Sequence, residues 1–301
     1  MGDAVAWLFG HMDCSADVFF LEAVLNGLLL AGLLALLALG LNLIFGVIDV
    51  VWICYAELIM LGMYGMFFLF KVYHVPFLIA AVICIIGVGA LGVVLHLVVI
   101  APLLGAAPIN QLLATGGVLF FLQSAATVMF GIDFRNLGIR LPVLDVADMY
   151  ISYARLLAFG AALAGMVVLY WFLARTYTGT AIRAIAQDRQ IMPLMGVDAR
   201  RIYLITSAIG GALAGLSATL LVLQYDVHPF IGLTFGPTTF MICVLGGLGN
   251  MFGGFVASFI FAEIISVGGL YLDLEWGYVF AFGFFIAMMF ARPQGLLAHH
   301  A

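Results

Sequence analysis

Long apolar runs, separated by short polar or glycine-rich breaks, fill almost the whole sequence. Each run is about 20 residues long, the length that an α-helix needs to cross the hydrocarbon core of a bilayer. The pattern predicts an all-α polytopic membrane protein with one transmembrane domain over residues 1–301. The predicted spans are residues 18–47, 52–70, 76–100, 111–130, 153–174, 202–225, 235–249, 252–267 and 276–290. The run 235–249 is short and rich in glycine, so it is either a short span or a re-entrant element buried in protein.

One polar interruption, between the fifth and sixth of these runs, holds half of the ten Lys and Arg residues. We call this segment, residues 175–201, the arginine loop; its five arginines are Arg175, Arg183, Arg189, Arg200 and Arg201. Short loops rich in arginine stay on the cytoplasmic side of a membrane. The loop therefore either only fixes the topology or also contacts a cytoplasmic partner.

A short amphipathic helix is predicted inside the arginine loop, with Thr178 or Thr180 as its N-cap. Its predicted apolar face consists of Ala181, Ile182, Ile185 and Ala186. The residues expected to face water or a partner are Arg183, Gln187, Asp188 and Arg189. Gly196 suits a chain reversal after this helix, and Asp198 is predicted to cap the next membrane helix.

The composition excludes several classes of protein. Hydrophobic residues make up 66% of the chain and charged residues only 8%, whereas a soluble domain carries roughly a quarter charged residues. With a net charge of -5 and Lys71 as the only lysine, the chain has no basic patch for nucleic acid. The cysteines lack CxxC spacing, and Cys54, Cys84 and Cys243 lie in apolar runs, which indicates neither disulfides nor metal ligands. The first residues contain no Lys or Arg, so we expect the first helix to be retained as an anchor.

The distribution of charge predicts the orientation. If the arginine loop is cytoplasmic, the five preceding spans place the acidic N-terminus outside. Arg292, near the C-terminus, should also be cytoplasmic. About nine crossings satisfy both conditions, and about eight remain the alternative. Arg135 and Arg140 fall in an external loop and disagree with this assignment, although acidic residues accompany them.

Polar side chains inside the apolar runs are the candidates for a transport pathway. Glu57 and Glu263 each place a carboxylate in a predicted span, at a cost of about 3 kcal/mol on insertion scales. Asn42 and Gln123 cost less to bury. Each of these four either faces a pathway or makes a hydrogen bond between helices. Catalytic signatures such as GxxxxGK[ST], HExxH and GxSxG are absent, so no catalytic residue, metal or cofactor is predicted.

Several segments along the chain resemble the permease subunits of branched-chain amino acid ABC importers, of the LivH type. The segments that carry the resemblance are LLALLALGLNLIFGVIDVV in the first span, LIMLGMY from Leu58, QLLATGGVLFFLQ from Gln111, VLGGLGNMFGG, and the terminal RPQGLL. The most specific segment is TGTAIRAIAQDRQIMPLMGVDARRIYLITSAIGGALAGLSATL, which is similar to the cytoplasmic loop by which these permeases engage an ATPase and to the helix after it.

The resemblance implies alternating access in the bacterial inner membrane, with ATP hydrolysis on separate ATP-binding cassette subunits. It implies a second permease, either LivM-like or a copy of this chain, and a periplasmic substrate-binding protein. In the arginine loop, the residues expected to form the ATPase coupling helix and its surroundings are Ala181, Ile182, Arg183, Ile185, Asp188 and Gly196. Ile182 and Ile185 are expected to insert into the ATPase.

One departure from the family pattern concerns the expected solute. The family carries an Asn-Phe-Ala-His-Gly type motif where this chain has bulkier residues from Val51 to Ala56, followed by Glu57. The resemblance therefore implies as the solute either a branched-chain amino acid or a related small polar compound, such as an amide, urea or an aromatic acid. Two other classes of protein remain as alternatives to an importer. One is an ion-coupled secondary transporter with Glu57 and Glu263 as proton relays, and the other is an intramembrane enzyme that uses these two carboxylates as acid or base.

Overall fold

The structure, a computed structural model, describes residues 15–139, 143–146, 149–189, 191–271, 274–292 and 295–296. The predictions for Cys14, Arg140 and the first residues of the chain lie outside these ranges. The α-helices are α1 (Ser15–Ile48), α2 (Tyr55–Phe67), α3 (Phe77–Leu95), α4 (Pro108–Phe130), α5 (Tyr153–Arg175), α6 (Tyr177–Gln187), α7 (Ala199–Leu221), α8 (Ile231–Gly246), α9 (Met251–Tyr271) and α10 (Leu274–Ala291). The predicted helical membrane fold is confirmed.

Two of the membrane helices end in π-helical turns. Residues Phe68–Val72 continue α2, and His96–Ile100 continue α3 into a last α-turn, Ala101–Leu103. A 3-10 turn, Met192–Met195, lies between α6 and α7. The prediction of a purely helical chain misses one small feature: strands β1 (Val143–Val146) and β2 (Met149–Ser152) pair as an antiparallel hairpin.

Seven of the described helical segments are long and apolar enough to cross a membrane, and the two shorter apolar helices are residues 231–246 and 275–291. This count is consistent with the predicted eight to nine crossings. The helix α1 lies at the centre, with 83% of its most apolar window buried, and it packs against α5, α7 and α9. The helix α4 lies at the edge, with only 17% of its window buried.

Small residues allow the helices of the core to approach one another closely. The first turn of α9 lies against the last turn of α8: a Cβ at Gly246 would lie 2.6 Å from the backbone oxygen of Gly253. Gly211 and Gly215 of α7 similarly face the backbone of α3. Such contacts between small residues allow van der Waals packing where lipid offers no hydrophobic driving force.

Contacts between loops show which ends of the helices share a face. On one face, Arg189 of the arginine loop forms an ion pair with Asp49 after α1, with Nη1 and Oδ2 3.1 Å apart. On the opposite face, Asn136 after α4 donates a hydrogen bond to Asp226 after α7, at 2.6 Å. We call these the arginine face and the hairpin face.

The short helix α8 connects the two faces. Before it, Val227 pairs with Arg135 on the hairpin face. After it, the glycine turn places Gly249 against Gly46 near the end of α1, on the arginine face. The segment after α10 returns to the same end of α8, where the Leu296 amide donates to the Leu245 carbonyl at 2.7 Å. The short glycine-rich run is therefore a crossing element, which favours nine crossings over eight.

Candidate functional site

Glu57 is a buried carboxylate inside the helical bundle. It stands in the first turn of α2, just after the irregular connection of residues 49–54. Its side chain has 0% of its surface exposed, and neither carboxylate oxygen has a hydrogen-bond partner among the described residues. A carboxylate in this position is a candidate for a functional group, because an intramembrane charge without a structural partner is costly.

The carboxylate of Glu57 faces the beginning of α8. A Cβ built on Gly232 would lie 2.8 Å from the Glu57 carboxyl carbon, and Gly236, one turn later, lies against Ala56. The N-terminal end of a helix carries a partial positive charge that favours a nearby carboxylate. Transporters often use the ends of interrupted helices inside the membrane as solute sites. The starts of α2 and α8 meet at Glu57 and Gly232.

The connection of residues 49–54 is held from two sides. The Thr115 hydroxyl of α4 donates to the Val51 carbonyl at 3.0 Å, and the Tyr55 hydroxyl donates to the Gly210 carbonyl of α7 at 3.2 Å. Trp52 is buried beside Tyr55, and its Nε1 has no hydrogen-bond partner among the described residues. Trp52 and Tyr55 thus fill the interior next to Glu57.

The other three pathway candidates lie apart from Glu57. Asn42 is buried and makes structural hydrogen bonds: its side chain accepts from the Gly249 amide at 3.3 Å and donates to the Asn250 carbonyl at 3.4 Å. Glu263 on α9 lies against Gly27 of α1 and is only half-buried. Gln123 is buried on α4, and its Nε2 has no hydrogen-bond partner within the described ranges. The structure does not bring these residues together into one polar site.

The loop before α8 adds polar groups on the hairpin face. The His228 ring lies 4.7 Å from the Phe134 ring. Burial lowers the pKa of the His228 imidazole, and the neighbouring Asp226 carboxylate raises that pKa in part. Among the described residues, no group of three or more His, Cys, Asp or Glu side chains could hold a metal ion.

The predicted helix of the arginine loop is present as α6, but its cap differs from the prediction. Thr176 is the N-cap, and its hydroxyl accepts from the Gly179 amide at 3.0 Å, so the assignment to Thr178 or Thr180 is wrong. The helix therefore begins earlier, directly after α5. Gly196 adopts a positive φ of 84°, as a chain reversal requires, and Asp198 caps α7 as predicted.

The apolar face of α6 packs into the chain's own core. Ala181, Ile182 and Ile185 are 5%, 1% and 0% exposed, so the expectation that the two isoleucines insert into an ATPase is wrong. Ala186, assigned to the same face, is exposed. The predicted apolar face of α6 therefore exists, but it packs against the membrane helices of the same chain.

The surface that the arginine loop offers to a partner consists of other residues. Arg183 and Gln187 are exposed on α6. Asp188 is also exposed, and its carboxylate accepts from the Ile191 amide at 3.0 Å, which shapes the chain after the helix. Among the loop side chains that the structure describes, the exposed large apolar ones are Tyr177, Ile191 and Met195. Large apolar residues in an otherwise polar loop are the signal in the sequence that could have identified this surface.

Comparisons with known proteins agree with this architecture. The family model described as the permease component of the branched-chain amino acid transport system matches residues 23–289. The chain is 30% identical over 297 residues to the high-affinity branched-chain amino acid transport system permease protein BraD of Pseudomonas aeruginosa, covering 92% of this chain and 95% of that protein. It is 26% identical over 301 residues to the corresponding permease protein LivH of Escherichia coli, covering 93% and 96%.

A solved structure has a similar fold. The structure of PsaBC from Streptococcus pneumoniae in complex with Fab matches with a TM-score of 0.50 and 15% sequence identity. The match covers 89% of this chain and 91% of the other. At this identity the likeness concerns the fold alone.

Proposed function

Because the chain belongs to the family of branched-chain amino acid transport system permease components, we propose that it is the membrane permease subunit of an ATP-binding cassette importer. The match over residues 23–289, almost the whole helical bundle, carries this proposal. The permease moves its solute by alternating access and performs no chemistry itself. ATP hydrolysis takes place on separate subunits.

The solute in this proposal is a branched-chain amino acid or a related small polar compound. The names of BraD and LivH support the first choice. The bulky stretch from Val51 to Ala56 keeps amides, urea and aromatic acids open. Glu57 is the pathway residue with the strongest support, because its buried carboxylate has no hydrogen-bond partner in the described part of the chain and lies beside the start of α8. A carboxylate in that position suits a cationic group, such as the ammonium group of an amino acid.

The arginine loop is proposed as the contact with the ATPase. Ala181, Ile182 and Ile185 fix α6 on the membrane helices, so that a push on α6 reaches α5 and α7. The exposed side chains of Tyr177, Ile191 and Met195 are the proposed apolar anchors in the ATPase. Arg183 and Asp188 lie at the rim of that surface, where charges contribute little to affinity.

We extend the proposal to the remaining subunits and to the orientation, which the family resemblance and the charge distribution support. Two permeases form the pathway, the second being LivM-like or a copy of this chain, and a periplasmic protein delivers the solute. The arginine face is placed in the cytoplasm together with the C-terminus, and the N-terminus lies outside. ATP drives transport because it binds one of two global states more tightly, and so shifts the population of inward- and outward-open permease.

Copurification tests the class of transporter directly. A tagged chain extracted from its native membrane should bring down a separate ATPase subunit, and the Tyr177→Ala and Met195→Ala variants should bring down less. An ion-coupled secondary transporter or an intramembrane enzyme would be isolated without an ATPase. If the wild-type chain carries no ATPase, and transports or reacts without ATP, the proposal is wrong.

A further inference from the structure

A deep groove opens on the arginine face, away from Glu57. It has a volume of about 1150 Å³ and is lined by the ends of α1 and α5, by α6, and by the glycine turn and first residues of α9. Glu57, Gly232 and the other residues around the start of α8 are not among its lining residues. The groove is therefore separate from the proposed solute pathway.

The polar end of the groove has a net positive charge. Arg183, Arg189 and Asp49 line it, which gives two positive charges and one negative charge. Asp49 is neutralised by its ion pair with Arg189. Arg183 makes no ion pair with any described residue. The N-terminal end of α9 also borders the groove, and its partial positive charge adds to the preference for an anion.

The walls of the groove are apolar and belong to membrane-spanning helices. Val167 and Tyr170 of α5 are exposed, as is Phe252 of α9, and Phe255 lies one turn further into the span. Tyr170 lies close to the end of α5, at a level where tyrosine often marks the boundary between lipid and water. The apolar walls thus extend into the bilayer, whereas the arginines lie at its surface.

We propose that this groove binds one anionic phospholipid, with the phosphate group on Arg183 and Arg189 and an acyl chain against Val167, Tyr170 and Phe252. Basic pockets between membrane helices on the cytoplasmic side suit lipid headgroups in this way. A free phosphate ion would use the arginines but would leave the apolar walls uncovered. The bound lipid bridges α6 to α5 and α9, so it stabilises the position of the coupling helix. This inference does not depend on which solute is transported.

Native mass spectrometry of the purified full chain, with and without its partner subunits, tests the site. The protein is stripped of lipid in detergent and then titrated with phosphatidylglycerol or with phosphatidylcholine. We expect one molecule of phosphatidylglycerol to bind more tightly than the rest, and phosphatidylcholine to show no such molecule. Arg183→Gln and Arg189→Gln should each weaken that site about fivefold. Arg200→Gln, a control on the same face but outside the groove, should leave it unchanged.

Three results would overturn the inference. The first is equal retention of phosphatidylglycerol by the wild type and the Arg183→Gln/Arg189→Gln double variant. The second is equally tight binding of phosphatidylcholine. The third is displacement of the lipid by inorganic phosphate at a concentration similar to that of the lipid, which would indicate a simple anion site. Measuring the chain alone as well as the complex separates a lost lipid site from weakened contact with the ATPase.

Discussion

The carboxyl group of Glu57 lies over Gly232, so close that a Cβ at this glycine would lie 2.8 Å from the carboxyl carbon. The contact joins the first turn of α2 to the first turn of α8, two helices that begin after irregular connections. A side chain at this position would require the Glu57 carboxyl group to shift. The arrangement keeps a polar group at the meeting point of two helix starts, where a small movement of either helix would open space beside it.

We predict that Glu57→Gln lowers transport strongly while leaving the amount of folded protein nearly unchanged. The substitution keeps the size of the side chain and removes its charge. Loss of one hydrogen bond to a charged group costs about 1.5–3 kcal/mol, which corresponds to roughly a ten- to hundredfold loss. Solute uptake and the abundance of the assembled complex are measured together.

Glu263→Gln is the matched control for this prediction, because Glu263 is also an intramembrane glutamate but lies between α1 and α9. It should transport nearly as well as the wild type. Uptake by Glu57→Gln equal to that of the wild type, at normal abundance, would reduce Glu57 to a structural residue.

From the close contact between α8 and α9 we predict that Gly246→Ala destabilises the folded chain. Gly246→Ala would place a Cβ 2.6 Å from the backbone oxygen of Gly253, and backbone atoms cannot move aside as a flexible side chain can. Overpacking of this kind costs about 1–3 kcal/mol. We expect a lower melting temperature in a thermal-shift assay in detergent. Gly117→Ala, in a helix position with nothing within 4 Å, is the control and should not lower the melting temperature. Equal melting temperatures for both variants would contradict the close packing.

The sequence predicts the features of this chain that depend on local chemistry. Hydropathy locates the spans, the carboxylate of Asp198 marks the start of α7, and Gly196 marks a reversal. Each of these follows from one residue and its neighbours in the chain.

Features that depend on tertiary packing could not be predicted in the same way. Periodicity identifies Ile182 and Ile185 as an apolar face, but it does not say whether that face meets the chain's own core or a partner. Their burial shows that the face meets the chain's own core. Glu57 and Gly232 are far apart in the sequence, and no local pattern links them. Thr176 displaces Thr178 and Thr180 as the cap because α5 ends only one residue earlier.

The proposed orientation predicts the labelling of single cysteines introduced at exposed positions on the two faces. Cysteines at Thr180 and Gln187 should react with a membrane-impermeant thiol reagent only from the cytoplasm. Cysteines at Tyr73 and Asn136, on the hairpin face, should react only from outside. The native Cys54, Cys84 and Cys243 are buried and should give little background, and Cys14 is replaced by Ser. Labelling of all four positions from one side would contradict the topology.

Because the apolar face of α6 is buried in the chain itself, substitutions there should impair folding, whereas substitutions on its exposed face should impair contact with the ATPase. Ile185→Asp would place an unpaired carboxylate in the chain's own core, at a cost of about 3 kcal/mol or more, so we expect reduced abundance of the folded permease. Tyr177→Ala should leave abundance normal but weaken the contact with the ATPase, by about 2 kcal/mol if Tyr177 is a main anchor. Tyr73→Ala is the control for binding, because Tyr73 is also a strongly exposed tyrosine but lies on the hairpin face. If the Ile185→Asp variant has normal abundance but no longer binds the ATPase, the isoleucines contact the ATPase directly and the assignment made here is wrong.

The most direct test of the proposed transport function is uptake by proteoliposomes that contain this chain, its second permease and the ATPase. The binding protein and radiolabelled leucine are supplied outside, and ATP is enclosed in the lumen. Leucine should accumulate only when ATP is present. It should fail to accumulate when the ATPase cannot hydrolyse ATP or when Glu57 is replaced by Gln. If leucine is not the solute, the same vesicles should accumulate an amide, urea or an aromatic acid with the same dependence on ATP. Accumulation driven by an ion gradient without ATP or the ATPase would contradict the account.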